Sequence, residues 1–220
     1  MKGGVFMTYR GYIFDLDGVL TDTAHFHYLA WLRLAQELGL RFTEQDNELL
    51  KGVSRQRSFE IILELNHREH DLTAEQKAAL IDRKNSYYRA LLGELRPSDV
   101  LPGVLDFLHG ARAQDVRLAV ASASRNAGIV LKNLRLAGEF DYIADAAKIT
   151  RPKPDPEIFL LCADALGLSP SECLGFEDAQ AGIEAIHAAG MKAVGIGVTV
   201  TTQAPDYPLR STAELAALKL

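Results

Sequence analysis

Asp15 and Asp17 stand two residues apart, directly behind the apolar run Tyr12-Ile13-Phe14 and directly before Gly18 and Val19. In a locally extended chain such a pair projects to one side, its carboxylates roughly 7 Å apart. Paired carboxylates can divide a reaction between them, one as nucleophile or metal ligand and the other as proton carrier. Gly18 tolerates dihedrals closed to other residues and can turn the chain sharply after the pair. A lone Asp here would be an ordinary acidic turn; the doubled form points to a site.

Three further groups carry chemistry. Ser122-Ala123-Ser124-Arg125-Asn126 follows an apolar run and precedes a helical pattern. Hydroxyls and backbone N–H groups at a helix amino terminus make a seat for phosphate, with plain helix capping as the alternative. Lys153 lies in Arg151-Pro152-Lys153-Pro154-Asp155-Pro156, where prolines restrict the backbone and present the lysine from a stiff loop. Glu177-Asp178 ends another apolar run, as Asp15 does. Magnesium takes a few carboxylate oxygens together with water and phosphate oxygens. Asp15, Asp178, Glu177 and the backbone carbonyl of Asp17 meet that need, one ion per site.

The elements that must position these groups follow from periodicity. Residues 12–14 suit a strand buried on both faces, and open α/β sheets bind ligands at the carboxyl ends of such strands. Over 23–95 the texture is helical. Phe26, Leu29, Ala30, Leu34 and Leu38 share one face, and Gly39 is suited to close that helix. Thr43 opens a short segment, and Ser54 caps a helix with Phe59 and Ile62 on its apolar side. Thr73-Ala74-Glu75-Gln76 is a capping box for a longer helix reaching about Leu92. From Pro97 onward, strands at 118–121, 142–144, 174–176 and 193–196 alternate with helices at 104–112, 129–136, 156–166 and 180–189. Asp155 caps the third of these helices, with Pro156 at its first position. Alternation implies right-handed crossovers and a doubly wound parallel sheet. The predicted fold is α/β, a Rossmann-like core (1–22 and 96–220) interrupted by a helical cap (23–95). Residues 199–208 read as a polar loop without a motif.

Composition narrows the functional classes. The chain has 220 residues, 48% of them apolar and 24% charged, in the ordinary range of a soluble globular protein. A formal net charge of −5 argues against a general nucleic-acid binder, although a local basic cluster can still serve a small anion. Cys162 and Cys173 are too few for a disulfide framework or a cysteine zinc site and read as buried small residues. His67-Arg68-Glu69-His70 lies in a polar, loop-like stretch and reads as surface. No stretch approaches the length of a membrane span, so the expected setting is the cytoplasm and no membrane partner.

Asp15-Leu16-Asp17-Gly18-Val19 with Thr21-Asp22-Thr23 resembles the first motif of the haloacid dehalogenase superfamily of phosphotransferases. Ser122, Lys153 and Asp178 match its second, third and fourth motifs in order. The resemblance implies that Asp15 takes up the phosphoryl group and Asp17 acts as general acid and base. It places Ser122, Ala123 and Lys153 on the transferring phosphate, and Asp15, Asp17, Glu177 and Asp178 on magnesium. A phosphate ester needs these parts: an in-line nucleophile, a proton donor for the leaving oxygen, and cations for the charge. Such esters are among the slowest of all to hydrolyse unaided.

The cap narrows the resemblance. Leu50-Lys51-Gly52-Val53-Ser54-Arg55 with Ser58 is similar to the cap loop of β-phosphoglucomutases, as are Thr23-Ala24 followed by His27 and Trp31, Arg83-Lys84-Asn85, and residues 121–126. The family likeness implies substrate contacts from Thr23, His27, Trp31, Lys51, Gly52, Ser54, Arg55, Ser58, Lys84, Ser124, Arg125 and Asn126. Arg55 would hold the phosphate that is not being transferred. Arg125 stands where the family often has Lys, which keeps the charge and changes the hydrogen-bond geometry. Plainer readings stand beside these: Trp31 as core, His27 as a satisfied helix-surface histidine, Ser54 as a cap, Lys51 and Arg55 as solvated charges. The implied activity interconverts β-D-glucose 1-phosphate and glucose 6-phosphate through an aspartyl phosphate and glucose 1,6-bisphosphate. A sugar-phosphate or phosphoglycolate-type phosphatase is the alternative. A receiver-like switch is disfavoured by the cap and by Asp17, and a nucleotide-binding module by the absence of a Gly-rich fingerprint. The expected partner is a small sugar phosphate, and the expected state a monomer.

Overall fold

The first strand, β1 (Gly11–Phe14), is buried along its whole length. Successive side chains of a strand face opposite ways, and here both faces are covered. Tyr12 and Phe14 enter an aromatic cluster with Phe107 and Phe176, the rings of Phe14 and Phe176 stacked at 4.4 Å. Ile13 enters an apolar cluster with Ile158, Phe159, Ile183 and Ile186. The computed structural model describes residues 9–50, 54–200 and 202–218. The chain divides into two units, residues 1–22 with 96–220, and residues 23–95.

Among its described residues the second unit is built of helices and connecting turns, with α1 (Ala24–Glu37), α2 (Glu44–Asn47), α3 (Arg55–Leu65) and α4 (Ala74–Leu92). Thr43 and Thr73 each complete a capping box, and the Ser54 hydroxyl accepts the Arg57 N–H at 3.2 Å. Each satisfies backbone donors that a helix start leaves open. Its core gathers Trp31, Leu34, Phe42, Phe59, Ile62 and Leu63. Trp31 stacks on Phe59 at 5.9 Å and is 3% exposed.

In the first unit, α5 (Val104–Arg112), α6 (Ala127–Asn133), α7 (Glu157–Leu166) and α8 (Gln180–Ala188) alternate with β2 (Arg117–Val120), β3 (Tyr142–Ile143), β4 (Cys173–Glu177) and β5 (Lys192–Ile196). A further strand, β6 (Tyr207–Leu209), completes the order β3-β2-β1-β4-β5-β6, every neighbouring pair parallel. The tail is therefore structured where sequence suggested only a polar loop. Pro208 lacks a backbone donor and is tolerated because β6 is an edge strand. Asp206 ties the strand down, accepting the Ala193 N–H at 2.9 Å and lying 2.8 Å from His187 Nε2. The helix expected over 129–136 starts two residues earlier. Cys162 and Cys173 are free thiols in the core.

Candidate active site

The order of the strands brings the sequence groups together. Strand order reverses between β1 and β4, and in open α/β sheets that switch point is where ligands bind. Asp15 follows β1, Glu177 ends β4, and Ser122 lies two residues beyond β2, so all three stand at the carboxyl ends of neighbouring strands. The backbone carries the register past the strands themselves: Asp15 N–H donates to Phe176 O at 2.9 Å, and Ala121 N–H to Phe14 O at 2.7 Å.

Asp15, Glu177 and Asp178 each offer an oxygen, and these lie within 4.8 Å of one another. Lys153 Nζ bridges the group, 2.5 Å from Asp15 Oδ1 and 2.7 Å from Glu177 Oε2, with the Phe159 ring 5.0 Å away. Burial opposes a charge on Lys153, yet Asp15 and Glu177 outweigh it and hold its pKa above the ordinary value. Burial pushes the Glu177 carboxyl above the usual range, and burial with the charge of Asp15 pushes Asp178 up to about 6. Three acidic groups forced together with one lysine are short of positive charge. The donor set is all carboxylate oxygen, the chemistry a hard divalent ion such as magnesium selects.

Two glycines shape this cluster: Gly18, read from the sequence as a sharp turn, and Gly182, which sequence reading did not single out. A Cβ on Gly18, whose φ is +73°, would lie 2.0 Å from Asp178 Oδ2. A Cβ on Gly182 in α8 would lie 2.0 Å from Glu177 Cδ. An isolated glycine inside a helical pattern is the available signal for such close approach. Asp17 sits in the turn closed by Gly18 N–H donating to Thr21 O at 2.7 Å. After β2, Ser124 N–H donates to Ser122 Oγ and Asn126 N–H to Ser124 Oγ, both at 3.2 Å. These nested turns leave Ser122 and Asn126 buried and Ala123 and Arg125 exposed.

Residues 23–95 form a separate constellation. Lys84, 1% exposed, places Nζ 2.8 Å from His27 Nδ1 and 4.7 Å from the centre of the Trp31 ring. Burial and the charge of Arg55 lower Lys84 to about 7, and burial, Lys84 and Arg55 lower His27 to about 3. His27 is thus neutral near pH 7, where a charged Lys84 donates to Nδ1 and leaves the ring proton on Nε2. The His27 ring stacks at 3.9 Å on Tyr88, whose hydroxyl meets the Thr23 hydroxyl at 2.9 Å. Thr23 and Ser58 are buried, Trp31 is core as its plainer reading held, and the Ser54 hydroxyl is engaged as a cap. Arg55 opens α3 and is half-buried. Lys51 and Gly52 lie outside the described residues. His67 and His70 are exposed, and among the described residues the one carboxylate, histidine or cysteine group suited to a metal is Asp15, Glu177 and Asp178.

A parallel α/β sheet that gathers a carboxylate trio and a lysine at its switch point has the framework of an enzyme. The chain belongs to the haloacid dehalogenase-like hydrolases, whose family model matches residues 9–190. It is 42% identical to the β-phosphoglucomutase of Bacillus subtilis (strain 168), over 94% of this chain and 91% of that protein. It is also 36% identical to a fructose-1-phosphate phosphatase of Escherichia coli (strain K12), over 86% and 96% of the two chains. Among solved structures, a β-phosphoglucomutase from Clostridium difficile matches with a TM-score of 0.86 at 41% identity, covering 94% of this chain and 93% of that one. Among the described residues, no helix is long and apolar enough to cross a membrane.

Proposed function

We propose that the protein is a β-phosphoglucomutase, interconverting β-D-glucose 1-phosphate and glucose 6-phosphate by way of an aspartyl phosphate on Asp15 and a glucose 1,6-bisphosphate intermediate. The observation that carries the chemistry is Asp15 at the switch point, with Lys153 on one of its oxygens and Glu177 and Asp178 beside it. Asp15 attacks phosphorus through its carboxylate, and Lys153 neutralises charge on the phosphoryl oxygens. Asp17 gives a proton to the leaving sugar oxygen and, in the second half-reaction, takes one from the attacking hydroxyl. Ser122 and the backbone at Ala123 seat the phosphate. Asp15, Glu177, Asp178 and the Asp17 carbonyl would hold magnesium, which when bound supplies the positive charge that the carboxylate cluster lacks.

What supports transfer to a sugar over transfer to water is the 42% identity to a β-phosphoglucomutase across nearly the whole chain, including the residues 23–95. A mutase needs a grip on a second phosphate, the role assigned to Arg55, with Ser54, Ser58, Lys51 and Gly52 around it. A guanidinium holds a phosphate through two parallel hydrogen bonds. His27, Lys84, Ser124, Arg125 and Asn126 complete the proposed sugar-phosphate contacts, and the cytoplasm is the proposed setting. A sugar-phosphate phosphatase is the second reading, favoured by the 36% identity to a fructose-1-phosphate phosphatase. Phosphorus NMR with β-glucose 1-phosphate, magnesium and a trace of glucose 1,6-bisphosphate separates the two. Glucose 6-phosphate is the expected product; free phosphate in its place supports the phosphatase.

A further inference from the structure

Lys153 reaches the carboxylates from the loop 150–156, and one side chain on the first turn of α7 ties that loop down. The Glu157 carboxylate accepts the Thr150 N–H at 3.1 Å, the Thr150 hydroxyl at 2.9 Å and the Arg151 N–H at 2.7 Å. At the other end of the loop, Glu157 N–H donates to Asp155 Oδ1 at 3.0 Å, and Asp155 N–H to Pro152 O at 3.0 Å. Pro152, Pro154 and Pro156 have no backbone N–H to anchor the segment. Both entry and exit of the loop therefore converge on Glu157, with Lys153 at the middle. A carboxylate in the first turn of a helix is favoured by the helix dipole. The Thr150 backbone N–H, ahead of the other contacts, holds the Glu157 carboxyl below its usual value.

We propose that Glu157 is a positioning residue for phosphoryl transfer: it sets the approach of Lys153, and through Lys153 the seat of the transferring phosphate, while touching no substrate itself. The inference rests on the role given to Lys153 above. Asp155 shares the loop through an ion pair with the Arg151 side chain at 3.3 Å and accepts the Glu157 N–H at the helix start, whereas the backbone N–H groups of Thr150 and Arg151 donate to Glu157. Displacement of a reacting group by about 1 Å can cost on the order of a hundredfold in rate.

The test is a double-mutant cycle on the full chain, with Glu157→Ala, Lys153→Ala and the double variant. The rate of Asp15 phosphorylation by acetyl phosphate and the affinity for inorganic phosphate are measured in each. Glu157→Ala is expected to slow phosphorylation by roughly ten- to a hundredfold, and the double variant to be no slower than Lys153→Ala alone. A residue that only supports the fold adds its loss to that of Lys153→Ala; additive losses, or a wild-type rate for Glu157→Ala, overturn the proposal. If Glu157→Ala does not fold, Glu157→Gln, which keeps the size and one acceptor oxygen, carries the same cycle. If wild type takes up no phosphoryl group, the reading of the function fails and hydrogen exchange decides this inference separately. Glu157→Ala must then speed exchange at the Thr150 and Arg151 amides and shift the Lys153 side-chain resonances. Unchanged exchange or unchanged Lys153 resonances overturn it.

Discussion

Gly182→Ala sets two effects of opposite sign against each other. In a helix interior, alanine is favoured over glycine by about 1 kcal/mol. The new methyl, however, would stand 2.0 Å from Glu177 Cδ and 2.1 Å from its Oε2, so the carboxylate has to leave its place. Glu177 is 2% exposed and bonded to Lys153 at 2.7 Å, so it has no open route to water and loses a charged hydrogen bond as it moves. Overpacking costs about 1–3 kcal/mol and the lost bond about 1.5–3 kcal/mol. The clash wins: we expect Gly182→Ala to lose about 1.5–5 kcal/mol of stability after the helix gain is subtracted. Turnover should fall by roughly ten- to a hundredfold as the cluster shifts. Gly110→Ala in α5 is the control, because a Cβ there meets nothing within 4 Å. It should raise the melting temperature by about 2–4 °C and leave turnover unchanged. Denaturant unfolding and steady-state rates on both variants decide the matter. A Gly182→Ala protein as stable and active as Gly110→Ala would refute the packing argument.

Other perturbations act on charge. Arg55→Ala is expected to cut isomerisation strongly while leaving Asp15 phosphorylation by acetyl phosphate nearly intact, each tenfold loss marking about 1.4 kcal/mol; equal isomerisation rates would remove Arg55 from its role. Lys84 is lowered to about 7, so between that pH and its ordinary value the unfolded chain binds the extra proton and folding gains stability as pH rises. The stability of wild type minus that of Lys84→Met should therefore increase from about pH 7 toward pH 10, and a flat difference contradicts the burial argument. Asp178 is raised to about 6, so its contribution is full below its ordinary value and is lost as pH rises through 6. Metal-free protein should lose stability across that window, magnesium should restore it at pH 8, and a melting temperature indifferent to magnesium at pH 8 contradicts the proposed ion site.

The strands were legible because a strand buried on both faces is an unbroken apolar run, and Tyr12 to Phe14 stops abruptly at Asp15. The starts of α2, α3 and α4 were legible because Thr43, Ser54 and Thr73 cap with local hydrogen bonds. By contrast α7 begins at Glu157, one residue later than expected, with Pro156 at the cap position and Asp155 accepting the Glu157 N–H just ahead of it. What failed to show was set by distant partners. β6 is three residues at an edge with a proline in the middle, and it exists because β5 offers it a partner. His27 and Lys84 were each named, but their bond joins positions 57 residues apart and leaves no spacing to read. Trp31 carries the residue type of a sugar platform, yet Phe59 and Lys84 occupy its faces. Gly182 and Glu157 act on Glu177 and Lys153 through space, and in sequence they are one glycine and one first-turn acid.

Identifying the residue that carries the phosphoryl group tests the account most directly. Wild type treated with acetyl phosphate and magnesium is quenched with borohydride, which reduces an aspartyl phosphate to homoserine, and the peptide covering residues 11–33 is sequenced by mass spectrometry. The account predicts homoserine at position 15, and none there in Asp15→Asn. Homoserine at position 17, or an unmodified peptide from a protein that still turns over, would contradict it.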